Sequence, residues 1–531
     1  MIGSEKREKR EKKEETTLKR LKGRVQNSLS GLIRAVVLGL LILLQVGFIA
    51  VLPLALHEYS SGFYIALEIC GLVGILALTN DNRNFSYKFS WLCIILVLPV
   101  SGLIMFLLWG RVGKGNTLHK KIINQFHKTE SWLVADPKLE EDFVQKYPLE
   151  GQLSKYMYAK GSPIFKNNEF KYYATGEDAF EDIITQIAQA KKFILLEFFI
   201  VAEGALWDQV HEILKQKLQE GVEVKFLYDD FGAILRTGTD FSSKLRTEGF
   251  EVQIFNPIHK YASKLYMNFR NHQKMVIVDG NVGFTGGFNI ADEYANLVER
   301  FGVWKDAGIR VEGDAVWAMT VAFFEMWEVT SGQEIDLLQY SPDREFNKNN
   351  GYCHILRDGP ALGPQSYVGS VVKQIANYSI QRLYIMTPYL ILEETLSRSL
   401  IEAKKRGVDV RIVTPGIPDK KHIKYLTEYY YGHLLHNGIR IFEYQPGFVH
   451  SKVILSDQTA MVSTINLDYR SFYLHYENGI WLHDAKTIRS VERDFEKTLK
   501  ECKEIHYSEW LNRPRRIKIL QYILNVFSTL V

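Results

Sequence analysis

The sequence predicts an α/β protein of two homologous halves that share one active-site cleft, preceded by N-terminal transmembrane helices. Three observations carry that prediction. His272 to Asp279 and His450 to Asp457 both read H-x-K-x-x-x-x-D. Upstream of each copy, a second pattern repeats: Gly221-Val222-Glu223-Val224-Lys225 is matched by Gly407-Val408-Asp409-Val410-Arg411. Three apolar runs precede both repeats, at Ala35 to Leu56, Phe63 to Leu78 and Ser90 to Trp109.

At 531 residues the chain is long enough for two or three domains. Its net charge of +4 is small for that size and does not suggest a nucleic-acid partner, whose footprint is a strongly basic domain. The cysteines, Cys70, Cys93, Cys353 and Cys502, are scattered and form no C-x-x-C pair, so neither a zinc site nor a disulfide framework is indicated.

Residues 1–34 form a charged, basic tail. In the region 35–109, the first and third apolar runs meet the requirement of about 20 residues for a spanning helix, while the second is short and carries Glu68, read as reaching the interface near a helix end. Two or three helices are therefore expected. Lys19, Arg20, Lys22, Arg24 and Arg34 favour a cytoplasmic N-terminus, but Arg83 and Lys88 compete with Arg111, Lys114, Lys120 and Lys121 for the same side. A polar connector, 110–161, follows.

The first half, 162–340, opens with helical spacing from Gly176 to Ala190. Phe193 to Val201, apolar except for Glu197, reads as a strand buried on both faces. A helix from Trp207 to Glu220 ends at Gly221, and Val222 to Tyr228 is the next strand, ended by Asp229 and Asp230. The second half, 341–508, repeats this order as strand Arg382 to Tyr389, helix Glu394 to Arg406 and strand Val408 to Thr414. A strand-helix-strand unit of this kind closes between parallel strands. The tail 509–531 is basic at its start and apolar on one face, which suits a helix on an anionic membrane surface; packing against the body competes with that reading.

Each motif should begin on a buried strand, with His and Lys on one face, and reach its Asp at a turn. His272, Lys274, Asp279, His450, Lys452 and Asp457 form the candidate catalytic set, with Asp279 and Asp457 read as bracing the motif. Downstream lie Gly286-Gly287-Phe288-Asn289 and Ser463-Thr464-Ile465-Asn466, where small residues admit a substrate and Asn donates to an anionic oxygen. Two lysines, two amides and two imidazoles converging on one point would bind a phosphoryl group and divide nucleophile from general acid. No acidic cluster suited to Mg²⁺ accompanies them, so neither metal nor cofactor is expected.

The paired motifs resemble those of the phospholipase D superfamily, and the membrane-anchored layout is similar to the bacterial cardiolipin synthase family within it. Further likeness lies in Met267 to Lys274, Phe284 to Tyr294, Trp304 to Asp306 and Asn466 to Phe472. Two departures stand out. Ser463-Thr464 replaces the commoner Gly followed by Ser or Thr, and Asp457 to Asn466 is one residue shorter than Asp279 to Asn289, which bears on where Asn466 sits.

The resemblance implies two phospholipase D-like α/β halves in a multi-pass protein of the bacterial cytoplasmic membrane. It implies transfer of a phosphatidyl group between two phosphatidylglycerols, giving cardiolipin and glycerol through a phosphatidyl-histidine. The alternative is a membrane-bound phospholipase D-type hydrolase, or another phosphatidyltransferase, with the same site. Glu477 is the expected carboxylate behind the imidazole of the second half, and Asp306 that of the first. Gly287, Asn289, Thr464 and Asn466 would bind or orient phosphate. The Gly286-Gly287 pair favours His272 as nucleophile and His450 as acid and base.

Overall fold

The computed structural model describes residues 60–80, 82–110, 117–134, 136–257, 269–342, 346 and 351–530. The basic tail, the apolar run Ala35 to Leu56, Arg111, Lys114 and Met267 lie outside the described residues.

Both halves grow from the expected unit. Phe193–Phe198 runs parallel to Glu223–Asp229 across helix Ala205–Gln219. In the second half, Arg382–Met386 runs parallel to Asp409–Pro415 across helix Glu394–Lys405. The repeated glycine has a backbone reason: Gly221 (φ +86°) and Gly407 (φ +97°) end their helices in the left-handed region, where a side chain is strained. Helix Gly176–Ala188 is capped by Thr175, whose hydroxyl accepts from Asp178 N, and buries Ala179, Phe180, Ile183 and Ile187.

The motif strands Met275–Val278 and Val453–Ser456 add antiparallel to Phe193–Phe198 and Arg382–Met386 respectively. Each returns through a hairpin, to Val282–Gly286 and Thr459–Ser463. Among the described residues, the first half builds a seven-stranded sheet, and eight strands of the second half build a ten-stranded one together with Ile164–Phe165 and Arg270–Asn271 of the first. The strand Ile164–Phe165 pairs with Tyr352–Asp358, so it belongs to the second sheet although it follows the expected boundary at 162.

The sheets face one another across a shared core. Leu195, Ile277 and Val311 of one sheet, Val453, Val462 and Ile480 of the other, and helix Ala315–Ser331 form one apolar cluster. Outer helices cover the far faces with separate clusters. The two halves therefore cannot part without opening a core.

The connector is not merely polar chain. It folds into helices Thr117–Glu130, Pro137–Lys146 and Pro148–Ala159, because apolar residues such as Ile122, Phe143, Leu153 and Met157 recur at helical spacing and are buried. Phe143 packs on Tyr352 and Trp481 of the second sheet.

No helix among the described residues is long and apolar enough to cross a membrane. The third run is broken at Leu98 into Phe85–Val97, Pro99–Met105 and a π-helical turn, Phe106–Gly110. Pro99 explains the break, since proline pushes its predecessor out of helical geometry and starts a new helix well. Glu68 lies exposed at mid-helix in Ser60–Thr79, not near an end. Tyr87 stacks on Tyr469 of the second half, and Asn84 donates to Glu393 at 2.9 Å.

The C-terminal helix Arg515–Val526 packs against the body while keeping apolar side chains exposed. It packs against Lys421–His436 and against the N-terminal helices, where Ser90 donates to Val526 O at 2.6 Å. It also leaves Ile519, Leu520, Tyr522 and Ile523 exposed. Phe85, Leu96 and Val97 are likewise exposed on the neighbouring helix.

Candidate active site

The first motif is set by two clamps. Asp229, at the end of its strand, accepts from Asn271 N at 2.9 Å and pairs with Arg270 at 3.2 Å, both in buried surroundings. Arg270–Asn271 then forms a short parallel pair with the start of His475–His483, in the other half. His272 follows, donating its backbone N–H to Tyr476 O at 2.8 Å. The second motif is held in the same manner: Gly447–Val449 runs parallel to Val303–Lys305 of the first half, and His450 N donates to Lys305 O at 2.7 Å. His and Lys of both motifs therefore lie just before the buried strand, on a crossing between halves, and not on the strand itself.

This crossing exchanges the carboxylates. The His272 Nδ1 lies 2.9 Å from both oxygens of Glu477, a second-half residue. The His450 Nδ1 lies 2.8 Å from Asp306 Oδ2, a first-half residue. The expectation that each half braces its own histidine is thus corrected: the parallel pairings carry each motif to the neighbour's carboxylate. Thr464 donates to Glu477 Oε2 at 2.5 Å. Asp306 is held by Ala307 N at 2.8 Å and by the Trp304 indole N–H at 3.4 Å. With Nδ1–H donated to a carboxylate, each ring keeps its Nε2 lone pair free.

Both lysines are buried and donate to the carbonyl oxygen of their own histidine, Lys274 at 2.6 Å and Lys452 likewise. Burial pushes Lys274 down to about 7 and Lys452 to about 8, against the nearby charges of Glu477 and Asp306. Burial and the charge of Lys274 hold His272 well below the ordinary imidazole range, and burial with Lys452 lowers His450 to about 4. His272 also feels His450, which places the two rings in one electrostatic environment. Burial alone would raise the Asp306 carboxyl, but His450 and Lys452 hold it below its usual range.

The motif aspartates do not join this cluster. Asp279 accepts from the backbone N–H groups of Lys191, Lys192 and Phe193 at 2.8 to 3.0 Å. Asp457 accepts from Ile380, Gln381 and Arg382 at 2.7 to 3.0 Å. Both adopt positive φ, 51° and 35°, at the hairpin turn. Counting them among catalytic residues is therefore corrected, and bracing is what their contacts show.

Asn289 accepts from Ile200 N at 2.9 Å through Oδ1 and leaves a buried Nδ2 without a hydrogen-bond partner. Asn466 occupies the equivalent place, since bridges Val201 to Ile290 and Leu390 to Leu467 follow the two asparagines in register. The missing residue is absorbed in the hairpin: Val278 pairs with Val282, whereas Ser456 pairs with Thr459. Gly287 serves a different purpose from the expected one. A Cβ there would stand 2.0 Å from Asp306 Oδ1 and 2.9 Å from His450 O, so its bareness lets the other half's histidine reach Asp306.

Several contributors were not singled out from the sequence. Asn478 accepts from Lys274 N at 3.2 Å and donates to Thr285 at 2.9 Å, tying the halves together beside Glu477. Glu197 is wholly buried, accepts from Asn271 Nδ2 at 2.5 Å, and is pushed by burial up to about 8. A lone acid in an apolar strand was the available signal. His475, two residues before Glu477, stands with its ring 5.2 Å from that of His272. Phe199 packs against His272, and Tyr294, Trp304 and Phe448 surround His450.

The arrangement can pass a phosphoryl group between two oxygen nucleophiles: two imidazoles whose Nδ1 atoms are engaged by carboxylates, two buried lysines and the unpartnered amide donor of Asn289. Comparison with known proteins agrees. The family model described as "Cardiolipin synthase, PLD-like domain" matches residues 183–308 and 371–499, and "Phospholipase_D-nuclease N-terminal" matches 71–111. A cardiolipin synthase of Geobacillus kaustophilus is 30% identical over 88% of this chain and 94% of its own length. One from Halalkalibacterium halodurans is 30% identical over 85% and 90% respectively. Among solved structures, a phosphatidylserine synthase from Haemophilus influenzae superposes with a TM-score of 0.55 at 15% identity, over 72% of this chain and all of that one, a likeness of fold.

Proposed function

The chain belongs to the cardiolipin synthase family of phospholipase D-like phosphatidyltransferases, and from that premise we propose that it converts two phosphatidylglycerols to cardiolipin and glycerol. The observation that carries this reading is the pair of histidines, each with Nδ1 engaged by the opposite half's carboxylate and flanked by a buried lysine. A phosphodiester bound between Lys274 and Lys452, with Asn289 and Asn466 donating, has its charge met without a metal.

In the first step His272 Nε2 attacks phosphorus and the bond to the glycerol oxygen breaks. The anionic substrate raises the proton affinity of His450, whose Nε2–H protonates that oxygen. In the second step His450, now neutral, takes the proton from a free hydroxyl of another phosphatidylglycerol. That oxygen attacks phosphorus and releases His272. The choice of His272 as nucleophile no longer rests on Gly287, which packs on the Asp306 side. It rests on Glu477: both of its oxygens reach Nδ1, and Thr464 anchors it, so it is placed to support the positive charge of a phosphorylated imidazole.

We place the enzyme at the bacterial cytoplasmic membrane, held by its N-terminal segment in multi-pass fashion, with the apolar side chains of Arg515–Val526 in contact with anionic lipid. The test is direct: the full chain in detergent is given phosphatidylglycerol alone and the products are identified. Cardiolipin with glycerol is the expected result. Phosphatidic acid with glycerol would make the protein a hydrolase.

A further inference from the structure

The space behind His272, on the side away from the proposed reaction, holds a third histidine that the phosphoryl chemistry does not use. His475 is 92% buried by the 8% exposure of its surface, and its Nδ1 has no hydrogen-bond partner. That atom stands 3.7 Å from Glu477 Oε1, and Glu477 stands 2.9 Å from His272 Nδ1. One ligand atom from each of His272, His475 and Glu477 can be taken so that all lie within 4.8 Å of one another. In a tetrahedral zinc site with bonds near 2.0 to 2.1 Å, ligand atoms are separated by about 3.4 Å. Small side-chain rotations close the difference.

We propose that His272, His475 and Glu477 form a site for Zn²⁺ or a similar borderline transition ion, and that its occupation switches the transferase off. Two imidazoles and one carboxylate suit zinc; Mg²⁺ and Ca²⁺ call for oxygen ligands. The fourth position is left for water. Inhibition follows from the tautomer. With Nδ1–H donated to Glu477, His272 offers its Nε2 lone pair to phosphorus. A metal on Nδ1 takes that nitrogen's lone pair, so the ring's proton must reside on Nε2. The nucleophile is lost, and Glu477 is diverted from His272 to the ion. No bond of the substrate is involved.

The opposing charges are Lys274 and Lys452 beside His272, and Arg470 beside His475. They weaken the site without abolishing it, because Lys274 and Lys452 are each turned to the carbonyl oxygen of their own histidine. Glu477 supplies the compensating negative charge, and Asp358 lies opposite it on the neighbouring strand.

The inhibitory consequence rests on His272 being the nucleophile; the binding does not. The experiment therefore reads both. The full chain, stripped with a chelator and held in neutral detergent, is titrated with Zn²⁺ against a chromophoric zinc chelator, and with Co²⁺ to record visible absorption. The expected results are one ion per chain, tetrahedral-strength Co²⁺ bands, and transferase activity lost over the same Zn²⁺ range, while Mg²⁺ neither binds nor inhibits. His475→Asn and His475→Gln should weaken Zn²⁺ binding by more than the ~100-fold that is the upper cost of losing an outer-sphere partner, and should raise the inhibitory concentration in proportion. Wild-type protein with neither zinc stoichiometry nor cobalt bands overturns the site, whatever the variants do. Unchanged binding in well-folded His475 variants also overturns it. Stoichiometric binding with activity intact overturns the switch alone. Failure to make cardiolipin before any ion is added counts against the function and not against the site.

Discussion

Lys274 and Lys452 set the upper pH limit of the site. Buried and lowered to about 7 and about 8, they carry charge below those values and lose it as pH rises through them. His272 must be unprotonated to attack, and burial with the charge of Lys274 holds it well below the ordinary imidazole range. We expect kcat at saturating phosphatidylglycerol to show no acid limb at the ordinary imidazole value of ~6.5 and to fall as pH rises above about 7 to 8 and the lysines lose their charge, with apparent values that belong to the coupled cluster. Ordinary lysines would keep the alkaline limb near pH ~10. His272→Ala and His450→Ala should each remove product formation in folded, membrane-bound protein, since neither ring can stand in for the other. Near wild-type turnover in either variant would end the two-histidine account. At this scale the sequence exposed the chemistry but not its wiring. The H-x-K spacing marks His272 and His450, yet nothing in the spacing says that Glu477 serves the former and Asp306 the latter. That depends on which chain crosses which, a long-range property.

Within each half, the element that places the motif is the hairpin, and its anchor is the aspartate. Asp279 holds the three consecutive N–H groups of Lys191, Lys192 and Phe193, the start of the strand next to the motif. Asp279→Ala leaves those donors unmet. We expect a loss of about 3 kcal/mol or more in stability, read from denaturant midpoints, with activity falling through misplacement of His272. A variant of unchanged stability but no activity would instead mark Asp279 as a reacting group. The strand-helix-strand units were legible because their signals are local: apolar periodicity and a glycine with positive φ at the helix end. The connector helices were missed because their apolar residues are sparse among lysine and glutamate. The break in the third apolar run was not legible for a related reason, since hydropathy averages over Pro99 while the backbone does not.

The whole molecule behaves as one catalytic unit because its sheets share a core and exchange strands. Neither half contains a complete site: each histidine's carboxylate belongs to the other. The duplicated motif made two halves legible, and their interlocking was not, since a repeat states similarity and says nothing about contact. In the proposed mechanism Lys274, Lys452 and amide donors meet the charge at the phosphoryl group, so excess EDTA should leave transferase activity intact. Complete loss in EDTA, restored by one divalent ion, would contradict this.

The covalent intermediate tests the central claim most directly. Enzyme mixed with phosphatidylglycerol, quenched in alkali within a single turnover and digested, should yield a phosphatidyl group on the peptide that carries His272. The adduct should be missing in Glu477→Gln, whose carboxylate reaches that ring from the opposite half. A phosphatidyl group on the peptide carrying His450, or cardiolipin formed at full rate with neither peptide modified, would contradict the account.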